Sequence, residues 1–254
     1  MSDMLILVSA GLYVLSSLLY RYTRIHRIMY SAGILLNISA AAWLWHSIGS
    51  PPLGNLHQVL AVMGVLFFPV YILLVIKEKR KKTAFMFPAL GAVCLVLALI
   101  FKNSISWRRP PALQSVWFIP HVASYLISYV LVFAAFITGT AGIIKKRSSE
   151  AEDNSIESVP YRLIRYAFPL MTFGLVSGAL WSDAVWTECW SWDTKEIWAL
   201  ITWLWYGLYL YAHGNVLFRK YAGVYHVLGF LSLITTFFLV NVVPFLKSAL
   251  HSYS

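Results

Sequence analysis

The chain predicts an all-α fold, a polytopic membrane helix bundle, and three features carry that expectation. Of its 254 residues 59% are apolar and only 12% are charged. The apolar residues gather in runs close to the ~20 residues that a helix needs to span a bilayer. Those runs lack the period-two alternation of barrel strands, so a helix is the one way left for their backbone N–H and C=O groups to be satisfied in lipid. About eight transmembrane helices are expected, near residues 4–20, 28–46, 55–76, 84–101, 120–144, 161–180, 197–213 and 222–246. They form a single integral membrane domain over 1–254, with a tryptophan-rich segment, 178–197, inside it.

The first run is expected to stay as a helix and not to be cleaved as a signal, because Asp3 precedes it and its basic residues follow it. The net charge of +10 invites a nucleic-acid reading, and its distribution argues against one. Arg21, Arg24 and Arg27 follow the first run, and Lys77, Lys79, Arg80, Lys81 and Lys82 follow the third. Lys145, Lys146, Arg147, Arg162 and Arg165 separate the fifth from the sixth, and Arg219 and Lys220 the seventh from the eighth. Fifteen of the twenty Lys and Arg residues thus fall on alternate loops, and the positive-inside rule makes that side cytoplasmic. Both termini, the tryptophan segment and the 102–119 loop are then expected on the outer face. The Lys77–Lys82 cluster is a topology anchor that meets anionic lipid headgroups, so membrane lipid and not nucleic acid is the expected partner.

Along the first four runs little chemistry is legible. His46 and His57 flank the turn Gly49-Ser50-Pro51-Pro52 and read as interfacial residues. Cys94 lies mid-run and Cys189 in the outer segment, so they make no CxxC redox pair, although Cys189 faces an oxidising compartment and is open to reaction.

The 102–119 loop carries Arg108-Arg109 before Pro110-Pro111, and Pro120 opens the fifth helix one residue ahead of His121. A helix N-terminus disfavours imidazolium and so favours the neutral ring that a metal needs. His121, Tyr125 and Tyr129 recur every four residues and share a face. For the tyrosines this is helix packing; for His121, spacing alone leaves packing and iron ligation both open. The polar loop between the fifth and sixth helices has no apolar period to bury and is assigned no function.

The stretch Gly178 to His213 holds seven of the eleven tryptophans, Trp181, Trp186, Trp190, Trp192, Trp198, Trp203 and Trp205, around Asp193-Thr194-Lys195-Glu196. A few such rings make an interfacial belt, whereas this many beside charges suggest a flat apolar platform, for which a porphyrin is the matching ligand. Haem iron then needs axial ligands such as histidine. Trp186 and Trp190 share a face if their loop is helical. Asp193 and Glu196 have the D-x-x-E spacing of a capping box at the start of the seventh helix. Down that helix Trp198, Thr202, Trp205, Tyr209 and His213 form one stripe, which places His213 about 22 Å from Trp198, near the cytoplasmic side. The terminal ALHSYS brings His251 just past the last helix on the outer face.

The run Trp186-x3-Trp190-x-Trp192-Asp193-x-Lys195-Glu196 resembles the signature W-G-x-x-W-x-W-D-P-K-E of the haem-handling proteins of cytochrome c maturation, and most of all their CcsA (ResC) family of the system II pathway. The likeness extends to PPALQSVWFIPHVASYLISY, ALITWLWYGLYLYAH and ALHSY. It implies a holocytochrome c synthase (haem lyase) subunit that moves haem b from the cytoplasm to the outer face and presents it to the CxxCH motif of apocytochrome c. Under the same likeness His121 and His251 ligate outer haem and His213 is the histidine within the membrane, its second ligand coming from a CcsB/ResB-type partner. Trp186, Trp190, Trp192, Trp198 and Asp193 fall on the platform, with Lys195, Arg108 and Arg109 available to the propionates. Expected catalytic residues are His121, His251 and Asp193. The likeness implies a bacterial inner membrane, or a thylakoid. Two residues depart from the signature: Thr187 stands in place of its Gly and Thr194 in place of its Pro. The competing readings are a CcmC-like protein that passes haem to a chaperone and a haem-free membrane protein.

Overall fold

The computed structural model describes residues 1–78, 81–102, 111–145 and 158–243. Arg108, Arg109 and His251 lie outside the described residues. The regular secondary structure among the described residues is all helical. Eight helices follow in order: α1 (Ser2–Leu18), α2 (Thr23–Ile48), α3 (Leu56–Tyr71), α4 (Met86–Ile100), α5 (Phe118–Lys145), α6 (Val159–Trp186), α7 (Thr194–Gly214) and α8 (Ala222–Ile234). Pro69 lies inside α3, which runs on as a π-helical segment, Ile72–Lys77. The eighth helix continues similarly through Thr235–Leu239 to a last turn at Val240–Val242.

Each helix lies on one of the expected apolar runs. Five of the described helical stretches are long and apolar enough to cross a membrane: Thr23–Ile48, Leu56–Lys77, Phe118–Gly139, Val159–Trp186 and Arg219–Val242. They mark the chain as an integral membrane protein. α1 and α4 are apolar but shorter. α7 has 21 residues, many of them Trp and Tyr.

Two boundaries differ from expectation. α6 continues six residues past 180, to Trp186, because nothing in SGALWSDAVW breaks a helix before Thr187. α5 begins at Phe118, which puts Pro120 inside the first turn, where a missing N–H costs nothing. His121 N–H accordingly bonds back to the Trp117 carbonyl at 3.1 Å.

The chain divides into two compact units. In the first, Met1–Gln114, α1 packs on α2 and α4 while α3 packs on α2 and α4. Its centre is aromatic: Tyr13, Tyr30 and Tyr71 are almost fully buried and meet edge to face, Tyr30 lying 5.2 Å from Tyr13 and 5.0 Å from Tyr71. His57 is buried, and its Nδ1–H donates to the Ala98 carbonyl at 2.7 Å. Nearby, Lys102 pairs with Asp3. Burial alone would raise the Asp3 carboxyl, and the Lys102 hydrogen bond and charge outweigh it, holding the group below its ordinary value. His46 stays exposed and stacks on Trp43.

In the second unit, from Ser115 onward, α5 lies along α6, α7 along α8, and α6 touches α7. The start of α5, the end of α6 and the start of α7 therefore share one end of this unit. The end of α5 and starts of α6 and α8 share the other, with the end of α7.

Candidate functional site

The tryptophan end of the second unit is built around His121. Its Nδ1–H donates to the main-chain carbonyl of Gly174 on α6 at 2.8 Å. That bond fixes the tautomer, leaving the lone pair on Nε2, which is the arrangement of a metal-ligating histidine whose other nitrogen is anchored. The ring lies nearly parallel to Trp181, with centroids 5.7 Å apart and planes at 28°, and meets Tyr125 edge-on at 5.2 Å. Tyr129 follows 5.4 Å from Tyr125, so the three residues do share a face of α5.

Glycine makes this approach possible. A Cβ on Gly178 would fall 2.6 Å from Cε1 and 2.7 Å from Nδ1 of His121, and one on Gly174 would fall 2.8 Å from the ring of Tyr125. Gly174 and Gly178, four residues apart, thus form a groove on α6 that receives both rings. The small-x3-small spacing that lets membrane helices approach closely was the available signal. Trp181 is the other residue that motif reading passed over: it is 2% exposed and touches His121, Phe118 and Trp186.

Beyond Trp186 the chain leaves helical geometry, so the expected common face of Trp186 and Trp190 does not form. Thr187 takes φ 59°, ψ 25°, the left-handed conformation that ends α6, and residues 187–193 are not helical. The tryptophans instead pair edge to face, Trp181 with Trp186 at 5.1 Å and 65° and Trp190 with Trp192 at 6.0 Å and 83°. Trp192, also left-handed at φ 58°, is 67% exposed and presents its indole outward. At Thr187 the left-handed backbone explains why the signature has glycine there.

Side chains tie this loop down. Ser182 donates to the Glu188 carbonyl at 2.6 Å. One oxygen of Glu196 accepts from the Ser191 N–H at 2.9 Å, the Ser191 hydroxyl at 3.1 Å and the Asp193 N–H at 3.3 Å. Asp193 caps α7 in return, completing the expected box, and both carboxylates sit where the helix dipole favours negative charge. Thr194 is then the first residue of α7, where the proline of the signature is equally at home.

Lys195, ahead of the apolar part of α7, donates to Asn241 at 3.3 Å. Its side chain keeps some accessible surface, yet burial pushes its ammonium down to about 8 against the opposing charge of Asp193. Cys189 is exposed, and a hydrogen bond with Asp183, helped by that acid's charge, raises its thiol above the ordinary value. The reactivity expected of Cys189 is damped accordingly, since the thiolate is the reactive form.

The predicted stripe on α7 is present. Thr202, Tyr209 and His213 are all buried, Thr202 shares a hydrogen bond with Thr236 at 3.1 Å, and Trp205 stacks on Tyr225 of α8 at 5.9 Å. Trp198 is half-buried one turn above Thr202. His213 sits at the opposite end of this unit from His121, stacked on Tyr161 at 5.1 Å.

Known proteins are similar to this chain in sequence. A family model described as cytochrome C assembly protein matches residues 2–247. Similar proteins include the cytochrome c biogenesis protein CcsA of Chlamydomonas reinhardtii, 31% identical over 79% of this chain and 61% of that protein. The CcsA of Porphyra purpurea is 28% identical over 97% and 93%, and that of Gloeobacter violaceus 41% identical over 46% and 33%. The chain thus spans a little under two thirds of the Chlamydomonas protein and nearly all of the Porphyra one. With a family model covering nearly its whole length, the chain belongs to the cytochrome c assembly proteins, as a CcsA-type member.

Proposed function

We propose that this chain carries haem b from the cytoplasmic to the outer membrane face and presents it for thioether attachment to the CxxCH motif of apocytochrome c. It acts as the haem lyase subunit of a complex with a CcsB/ResB-type protein. Membership in the family supports a role in cytochrome c maturation and the handling of haem. The observation that carries the finer reading is His121, whose Nδ1–H is spent on the Gly174 carbonyl beside the indole of Trp181, which in turn meets Trp186. A neutral imidazole anchored through one nitrogen suits an axial position on iron, and apolar rings suit the porphyrin plane.

In this reading His121 and His251 are the outer axial pair. Trp186, Trp190, Trp192 and Trp198 form the apolar surface, while Lys195, Arg108 and Arg109 meet the propionates. Asp193 holds the start of α7 and through it the loop. His213, with a histidine of the partner, takes haem at the cytoplasmic end, and the stripe up α7 leads to the outer site. Attachment adds each cysteine S–H across a vinyl double bond, sulfur to one carbon and hydrogen to the other, with no oxidant required. That reactivity belongs to the porphyrin, so the chain's part is orientation and the exclusion of side reactions.

Replacing His121 or His251 by Gly tests the outer pair. Each variant is expected to lose outer haem or its low-spin spectrum, with added imidazole restoring it. Unchanged haem content and spectra in both would overturn the assignment.

A further inference from the structure

The first unit carries a groove between α1 and α4 that the functional reading does not use. Its volume is about 350 Å³, within the range of small-ligand sites, and Val14 and Leu18 of α1 line it together with Ala89, Ala92, Val93 and Val96 of α4. The two alanines offer only methyl groups towards α1, and the hollow is the space they leave. Val93 and Val96 are 54% and 45% exposed, so the groove lies open along the lipid-facing side of the unit.

Among the described residues that line it, Ser17 alone is polar, and its hydroxyl is spent on the Phe85 carbonyl at 2.9 Å. The groove therefore has no hydrogen bond to offer, and its matching occupant is hydrocarbon. Size narrows the choice further. A helix about 10 Å across takes up roughly 400 Å³ in a single turn, more than the whole groove, whereas an acyl chain is a single file of methylenes.

Charge marks one end. Just past Ser17 and Leu18, Tyr20 touches Phe85 with ring centroids 5.2 Å apart, a pair suited to the headgroup level. Arg21 follows Tyr20, Lys82 precedes Phe85 by three residues, and Arg24 lies in the first turn of α2; all three side chains are exposed, and Glu78 is the acid nearest them in sequence. The lengths of the helices point the same way. With 17 and 15 residues, α1 and α4 reach about 26 and 22 Å, short of the ~30 Å of a bilayer's hydrocarbon. A lipid drawn down to the basic end of these helices relieves that mismatch.

We propose that the α1–α4 groove is a binding site for one anionic phospholipid, with an acyl chain along the groove and the phosphate held by Arg21 and Lys82. This is a defined site, distinct from the diffuse attraction of the Lys77–Lys82 cluster to headgroups, and it is independent of the haem reading.

The test uses the full-length chain purified in detergent, stripped of lipid and titrated with phosphatidylglycerol or phosphatidylcholine of the same acyl chains, with retained lipid read by native mass spectrometry. One phosphatidylglycerol is expected to be retained in preference to phosphatidylcholine and to raise the melting temperature. Val96→Trp fills the groove from a half-exposed position and should abolish retention, whereas Leu35→Trp, an exposed site on α2 outside the groove, should not. Arg21→Gln and Lys82→Gln, both at exposed positions, should each weaken phosphatidylglycerol binding about fivefold and leave phosphatidylcholine unaffected. Equal retention of the two lipids would overturn the proposal. Retention undiminished in Val96→Trp would also overturn it, since charge alone would then hold the lipid. So would loss of a copurifying partner protein from Val96→Trp with lipid retention unchanged, which would make the groove a protein interface.

Discussion

At the scale of single residues, Thr187 and Lys195 carry the clearest energetic signatures. A non-glycine residue in the left-handed region costs about 1–2 kcal/mol, and a β-branched one belongs there least. Thr187 holds φ 59° at the end of α6, so Thr187→Gly should raise stability by about 1 kcal/mol in thermal or denaturant melts, even allowing for the looser unfolded chain. Lys195 gives a pH signature. Its folded value of about 8 lies below the ordinary 10.5, so between those values the unfolded chain binds more protons and stability rises with pH. Lys195→Met should therefore be the more stable protein below pH 8, with its advantage shrinking through pH 8 to 10.5. Any propionate contact made by Lys195 should weaken over the same window as the ammonium is lost.

At the scale of elements, what could be read in advance was what is written locally. The D-x-x-E cap of α7 needs only its own first turn, and it formed as expected. The four-residue spacings on α5 and α7 likewise follow from helical periodicity alone. The Gly174–Gly178 groove was missed because its meaning depends on α5, more than fifty residues earlier, and the course of 187–193 was left open because it is governed by one left-handed residue and by Glu196. Gly178→Ala should show how far His121 depends on the groove. With the added carbon 2.6 Å from the imidazole, the ring must leave the Gly174 carbonyl, at a cost of about 1–3 kcal/mol and with loss of the outer haem spectrum. Gly223→Ala, where a Cβ would have nothing within 4 Å, is the matching control and should change neither.

At the scale of the whole molecule, the eight helices lie where hydropathy put them, and the side of the membrane on which each end lies rests on the distribution of charge. The two cysteines offer a direct measurement, since Cys189 is exposed and Cys94 is buried. In intact cells a membrane-impermeant maleimide should label Cys189 alone, and faster as the pH rises, because Asp183 keeps the thiol protonated. Labelling of Cys189 only after the cytoplasmic face is opened would invert the topology. Charge counting yields orientation because insertion responds to local Lys and Arg. It gives no account of the buried imidazoles, whose partners are chosen by packing across helices.

The acceptor that holds His121 is a peptide carbonyl and not a side chain. No single substitution can delete it, in the way that an Asp-to-Ala change deletes the anchor of a carboxylate-held histidine. Short of replacing His121 itself, variation reaches that hydrogen bond by crowding the ring, as at Gly178, or by shifting α5 against α6. The tautomer of this imidazole is thus fixed by backbone and not by any one side chain, while the spacing between two helices becomes the variable on which selection for ligand strength can act.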